Sequence, residues 1–268
     1  GLGRSVVGDA WGGSTPPQVF FRFTDWSMPA EVTCHFESTW NSILSTFSDC
    51  EFHGGGLSLT APAFTFTNCL FERVYTGIYD ACPMSPVIQS CLFFGGHLLL
   101  DRLDDGPWTF RDNAFDRTSI TQPDENMDGA YNAYITNCDR LMPTNATDVL
   151  VTNFNWQTNY LGNYYQPTNC LLFDAGSTNA DLLGLYHFTT QTNQVKETNS
   201  VVDIGYHYVA VDPNTGQPYD HDGDGVPDYP EDGNGNGAVD SGETDWQSAT
   251  DLGLKVLITR PKTGTVVP

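Results

Sequence analysis

The chain has 268 residues, enough for a sizeable core, and carries 33 Asp+Glu against 11 Lys+Arg for a net charge of -22. That charge argues against nucleic acid and anionic membrane surfaces as partners, and no apolar run approaches the roughly 18 residues of a membrane helix. Charged residues make up only 16% while aromatics reach 13% and glycines number 26, a profile that points to an all-β extracellular protein.

Residues 1–29 are expected to form an N-terminal strand or cap. They open GLGRSVVGDA, without Met or a signal-peptide pattern, as a processed chain or a fragment would. Trp11, Trp26 and Trp40 are placed to close the open end of a stacked fold. From there a loose repeat runs through the chain: FSDCEF (Phe47–Phe52), FTNCLF (Phe66–Phe71), IQSCLF (Ile88–Phe93) and FRDNAF (Phe110–Phe115). Weaker copies are ITNCDR (Ile135–Arg140), VTNFNW (Val151–Trp156) and PTNCLL (Pro167–Leu172), with CHF (Cys34–Phe36) as an early partial copy. The residue at the Cys place recurs every 16 to 25 positions. An apolar residue stands three before it and an aromatic or Leu two after it, so each copy reads as strand, tight corner, strand. Asn or Asp in the corner tolerates the left-handed backbone it needs. GLSLTA (Gly56–Ala61), TGIYDA (Thr76–Ala81) and GHLLLD (Gly96–Asp101) supply the next strand of each coil. Irregular periods near 20 suit a solenoid that takes loop insertions on one side.

These repeats resemble the right-handed parallel β-helix of the pectin-lyase-like family over residues 30–210. The resemblance implies an all-β solenoid fold. LLFDAG (Leu171–Gly176) and VVDIGYHY (Val201–Tyr208) are similar to the closing coils of large secreted bacterial β-helix proteins, which implies a cell-surface setting.

Seven cysteines leave at least one thiol unpaired. Cys34, Cys50, Cys69, Cys91, Cys138 and Cys170 sit at the repeat mark and are expected to stack as small buried thiols. Their parallel side-chain vectors disfavour disulfides between coils. Cys82 lies off the register. His187 and His207 fit structural places in aromatic strands, and Asn145-Ala146-Thr147 is a glycosylation sequon.

Many β-helices cleave acidic polysaccharides, which requires clustered carboxylates, or an arginine base with bound calcium. The candidate catalytic group is Asp101, Asp104, Asp105, Asp112 and Asp116 with Arg111. The plainer reading is a loop insertion with solvated charges and ion pairs. The polygalacturonase-like NTD and Gly-His-Gly signatures are missing, and fold does not imply activity, so the balance leans away from an enzyme.

Residues 211–250 carry two tandem calcium loops. In DHDGDGVPDYPE, Asp220, Asp222 and Asp224 hold places 1, 3 and 5; Gly225 makes the turn at 6; Val226 offers a carbonyl at 7; Asp228 and Glu231 hold 9 and 12. In DGNGNGAVDSGE the same places fall to Asp232, Asn234, Asn236, Gly237, Ala238, Asp240 and Glu243. Two calcium ions are expected. No helical pattern precedes Asp220 or separates the loops. The arrangement therefore resembles thrombospondin type 3-like acidic repeats more than a sensor EF-hand, which implies that the ions stiffen the segment. Residues 251–268 read as a C-terminal strand or the start of an Ig-like module, which implies a longer polypeptide or a strand that pairs with a neighbour. The expected function is a secreted, calcium-stiffened structural or adhesive protein of a cell surface, self-associating into a filament or binding other surface proteins. A carbohydrate-active enzyme or a polysaccharide-binding module on the same fold is the alternative.

Overall fold

The protein is described from a computed structural model that covers residues 18–28, 34–38, 44–59, 63–79, 86–101, 108–122, 127–136 and 138–251. Trp11, Trp40, Cys82, Asp104, Asp105 and the strand expected beyond Asp251 lie outside the described residues.

The fold is a nearly all-β parallel solenoid. The first coil has β1 (Gln18–Arg22), β2 (Asp25–Ser27) and β3 (Cys34–Ser38), and the second β4 (Leu44–Ser48), β5 (Glu51–His53) and β6 (Gly56–Leu59). The third has β7 (Ala63–Thr67), β8 (Leu70–Glu72) and β9 (Tyr75–Tyr79), and the fourth β10 (Val87–Gln89), β11 (Leu92–Phe94) and β12 (His97–Asp101). Then come β13 (Trp108–Arg111), β14 (Ala114–Asp116) and β15 (Ser119–Thr121), followed by β16 (Met127–Ala130), β17 (Ala133–Ile135) and β18 (Val149–Val151). First strands of successive coils pair into one parallel sheet (sheet A), second strands into another (B) and the third strands β3, β6, β9, β12 and β15 into a third (C), while β18 pairs with β17 and extends sheet B.

Register explains why the phenylalanines recur. Phe21, Phe47, Phe66, Ile88 and Phe110 form one inward row of sheet A, and Trp26, Phe52, Phe71, Phe93, Phe115 and Tyr134 one inward row of sheet B. The rings of Phe52, Phe71, Phe93 and Phe115 stack at 5.2, 4.4 and 5.1 Å between centroids. Such stacking adds about 0.5–1.5 kcal/mol per pair beyond area burial. Trp26 lies flat on Phe52 at the first-coil end of this row.

The corner between sheets A and B turns on one left-handed residue per coil, and the corner between B and C on one or two. Between sheets A and B these are Phe23, Asp49, Asn68, Ser90, Asp112 and Tyr131, with φ between 50° and 59°. Asp and Asn fill half of the places, as expected from their tolerance of this region.

Beside that corner runs an interior ladder. Cys50, Cys69, Cys91, Asn113 and Asn132 each donate to the carbonyl of the inward sheet-A residue one coil earlier: Phe21, Phe47, Phe66, Ile88 and Phe110, at 3.6, 3.4, 3.7, 2.9 and 2.8 Å. Thiol and amide are interchangeable here because either can donate a hydrogen to the same carbonyl. This corrects the expected stack of six thiols. Cys34 is exposed on β3, Cys138 donates to Thr118 O at the next corner, and Cys170 to Gln166 Oε1 in the C-terminal part. The sixth copy of the repeat is centred on Asn132, in GAYNAY (Gly129–Tyr134), not on Cys138. None of the six described cysteines forms a disulfide.

Among the described residues, parallel strand pairing ends at β18. Beyond it come two short antiparallel pairs, β19 (Gln157–Asn159) with β20 (Gly162–Tyr165) and β21 (Phe188–Thr189) with β22 (Tyr208–Val209). This lateral segment covers the outside of sheet B, where Leu70, Leu92, Ala114 and Ala133 pack with Tyr164, Tyr165, Leu172, Ile204, Tyr206 and Tyr208. Along the row Leu70, Leu92, Ala114 and Ala133 sheet B is thus apolar on both faces, as suits a parallel sheet covered on both sides. DAG and DIGYHY form its seam: Gly176 N donates to Val202 O (2.9 Å), Asp174 N to Asp203 Oδ1 (2.7 Å) and Gly205 N to Asp112 O (2.9 Å). Asn68 at the corner receives His207 N at 2.7 Å and donates to His207 O at 3.0 Å, locking the seam to the solenoid.

Candidate metal centre

The two acidic loops share one backbone design. At place 1, Asp220 Oδ2 accepts the N–H of Gly225 at place 6 (3.0 Å), as Asp232 Oδ2 accepts that of Gly237 (2.6 Å). At place 3, Asp222 and Asn234 accept from place 5 at 3.0 Å each. At place 5, Asp224 and Asn236 accept from place 7 at 2.6 and 2.7 Å. Gly225 and Gly237 have φ of 89° and 79°, which an L side chain resists. The residues at places 3 and 5 thus fold the chain with one side-chain oxygen each, and Asp220 and Asp232 at place 1 with both.

The loops differ in what remains. In the first, Asp220, Asp222 and Asp224 each bring a carboxylate oxygen within 4.8 Å of the other two. Oxygens about 2.3–2.6 Å from one calcium ion lie within such a distance of each other. Glu231, only 3% exposed, ends a single helical turn (α1, Asp228–Glu231), and both its oxygens are buried with no hydrogen-bond partner among the described residues. Asp222 Oδ2 is buried and unpartnered too. Burial pushes the Glu231 carboxyl up, and the charges of Asp222, Asp224 and Asp228 push it further; Thr244 opposes them without a hydrogen bond of normal geometry. A buried carboxylate without donors costs about 1–3 kcal/mol or more, so these oxygens fit a divalent cation held there. The helical turn lies inside the first loop, and Glu231 runs directly into Asp232.

The second loop satisfies itself. Glu243 accepts the N–H of Asn234 at 2.9 Å and of Asp240 at 3.0 Å, and Asp240 Oδ2 accepts the Asn234 and Asn236 amides at 2.8 Å each. These two amides hold the Asp240 carboxyl below its usual range. Asp232 is fully buried; burial pushes its carboxyl up, but hydrogen bonds from His187, Gly237 and Asn236 outweigh that and hold it low.

Both loops are anchored by residues that the loop sequence does not reveal. Lys196 Nζ lies 2.7 Å from Asp228 Oδ2 and 3.2 Å from His187 Nδ1, and His187 Nε2 lies 3.0 Å from Asp232 Oδ2. With Nδ1 accepting from the ammonium, Nε2 carries the imidazole hydrogen and donates to Asp232. Trp246 packs edge-on to His187 and His221 at 5.1 and 5.7 Å. Tyr186 N donates to Gly235 O at 3.0 Å, Arg22 Nη1 to Gly233 O at 2.9 Å, and Phe23 meets Tyr229 at 4.9 Å. The loops therefore dock on the lateral segment and on the first coil. LYHF hinted at His187; nothing local marks Lys196.

The candidate catalytic carboxylates that are described do not converge. Asp101 ends β12 in sheet C. Asp112 is buried at the A–B corner and accepts from Ser177 N, Ser177 Oγ and Gln89 Nε2 at 2.6, 2.7 and 3.0 Å. Asp116, in sheet B, accepts from Trp156 Nε1 at 2.8 Å, and Arg111, in sheet A, pairs with Asp128 at 2.8 Å. Burial raises the Asp116 carboxyl. A tighter group elsewhere had no sequence signal: His53 on sheet B, with Glu72 at 2.8 Å, Glu51 at 3.1 Å and Asp25 at 3.8 Å. The Glu51 hydrogen bond leads in raising that imidazole to about 9, so the group is an ion-pair network. On sheet C, Tyr75 is exposed and stacks on His97 at 5.3 Å and 15°, and Gly77 lies under the Tyr79 ring. No protein-family model, curated protein or solved structure matches this chain.

Proposed function

We propose that this protein is a secreted, calcium-stiffened structural or adhesive component of a cell surface, its copies associating as subunits of an extracellular filament. The carrying observation is Glu231, a buried carboxylate with both oxygens unpartnered at place 12 of a loop whose other turns are already formed. Two ions would be held by Asp220, Asp222, Asp224, the Val226 carbonyl and Glu231, and by Asp232, Asn234, Asn236, the Ala238 carbonyl, Asp240 and Glu243. Docking of both loops on the lateral segment and first coil means that ion binding stabilises the solenoid itself. The surface setting rests on the acidic composition and on the resemblance of DAG and DIGYHY to secreted bacterial β-helix proteins.

The test is a thermal melt with calcium and with a chelator, paired with electron microscopy of the native material. Each site filled at a hundredfold excess over Kd adds about 2.7 kcal/mol. A higher melting temperature in calcium, with filaments that loosen on chelation, is expected. Melting indifferent to calcium, with discrete particles throughout, would sink this function. A second reading, polysaccharide binding on sheet C, is favoured by the stacked Tyr75 and His97, since flat aromatic faces stack on sugar rings. Loss of glycan retention in a Tyr75→Ala variant would support it.

A further inference from the structure

Place 9 separates the two loops. In the second, Asp240 turns inward to the amides of Asn234 and Asn236. In the first, Asp228 turns away: its Oδ2 is taken by Lys196 Nζ at 2.7 Å and its Oδ1 by His221 N at 2.6 Å. What remains for a cation is Asp220, Asp222, Asp224, the Val226 carbonyl and a bidentate Glu231, about six oxygens where calcium takes up to eight. The outer edge of this loop is also open. A side chain placed at Gly223 or Gly225 would meet nothing within 4 Å, whereas one at Gly235 or Gly237 would strike Gly184 or Tyr186. Asp220 is itself exposed.

Resting on the reading that the first loop holds calcium, we propose that its ion keeps a coordination position open to solvent and takes there a carboxylate from a second copy of this chain. A hard divalent ion prefers anionic oxygen, and 33 acidic against 11 basic residues make carboxylates the group any copy presents most. Two copies of net charge -22 repel each other unless a cation lies between them. The step is a ligand exchange: one water leaves the ion and one carboxylate oxygen takes its place.

Terbium in place of calcium tests this, because its luminescence decay in light and heavy water counts bound waters. Glu243→Gln leaves the first loop competent and Glu231→Gln the second; Asp222→Asn silences the first loop without touching the buried glutamate. The first loop should hold about one more water than the second, and acetate should displace it there alone. In Lys196→Met, Asp228 is freed to turn inward, so the extra water and the acetate effect should vanish while terbium still binds. Sedimentation should show calcium-dependent association that acetate, Glu231→Gln and Asp222→Asn each reverse. Equal hydration of the two loops, or a monomer at every calcium concentration, overturns the proposal. Failure of either loop to bind terbium would overturn the calcium reading instead, so the two failures are distinct.

Discussion

The two acidic loops follow one turn design and meet opposite surroundings. The second is folded into the molecule: Gly235 and Gly237 abut Gly184 and Tyr186, Asp232 is fully buried against His187, and Glu243 and Asp240 have donors of their own. The first faces outward, with open space at Gly223 and Gly225, yet buries a glutamate for which the described residues offer no hydrogen bond of normal geometry. Near-identical spacing therefore yields one loop complete without an ion and one left with unmet oxygens. The difference arises from what lies behind each loop in the fold.

The sharpest way to break this comparison is at place 6. Both Gly225→Ala and Gly237→Ala force a side chain into left-handed backbone, at about 1–2 kcal/mol. Only the second also drives a methyl into the Tyr186 ring, and overpacking of that kind adds about 1–3 kcal/mol. Chemical denaturation in chelator should show Gly237→Ala as the more destabilised by that margin. Equal losses would mean the second loop is not docked as described.

The glutamates at place 12 should part in sign. Glu231→Gln removes a buried charge without donors, so ion-free stability should rise by about 1 kcal/mol. First-loop calcium affinity should fall more than tenfold, or above about 1.4 kcal/mol. Glu243→Gln leaves one of the Asn234 and Asp240 N–H groups without an acceptor, so ion-free stability should fall by about 1 kcal/mol. Denaturation in chelator and calorimetric titration read the two effects separately.

How much of this was legible follows from what each signal depends on. The Phe47, Phe66, Ile88, Phe110 row and the Phe52, Phe71, Phe93, Phe115 row share one chemistry at one register, so their spacing alone reveals the coils. The next coil escaped because Gly129 stands where Phe110 stood and Asn132 where a thiol stood; the ladder needs a donor, not a cysteine. Cys138 and Cys170 misled because both sit in a TNC triplet, which suits any tight corner. The shared turn spacing of both loops was plain. The capture of Asp228 was not, because Lys196 lies 32 residues away and meets it only in the folded chain.

The smallest expected effect concerns the lateral segment on which both loops hang. Glu197 lies on the lateral segment beside Lys196, with Ser200 Oγ at 3.3 Å and His207 Nε2 at 3.7 Å. Burial, then the charge of Asp203 and a shared hydrogen bond with it, raise the Glu197 carboxyl to about 9. Burial likewise raises Asp203, which takes hydrogen bonds from Thr190 and Asp174 N, and burial lowers His207 to about 3, leaving that ring uncharged. Glu197 thus keeps its proton at neutral pH. A folded-state value above the unfolded one contributes stability that is full below about 4.5 and lost as pH rises through about 9. Denaturation midpoints should therefore fall between pH 8 and 10 by about 1 kcal/mol, and Glu197→Gln should flatten that slope. Because the first loop hangs on this segment through Lys196 and the second through His187, calcium affinity should weaken at both over the same interval. A slope unchanged by Glu197→Gln would show that the pair does not hold the segment, and that the docking of the second loop rests on its own contacts with Tyr186, His187 and Arg22.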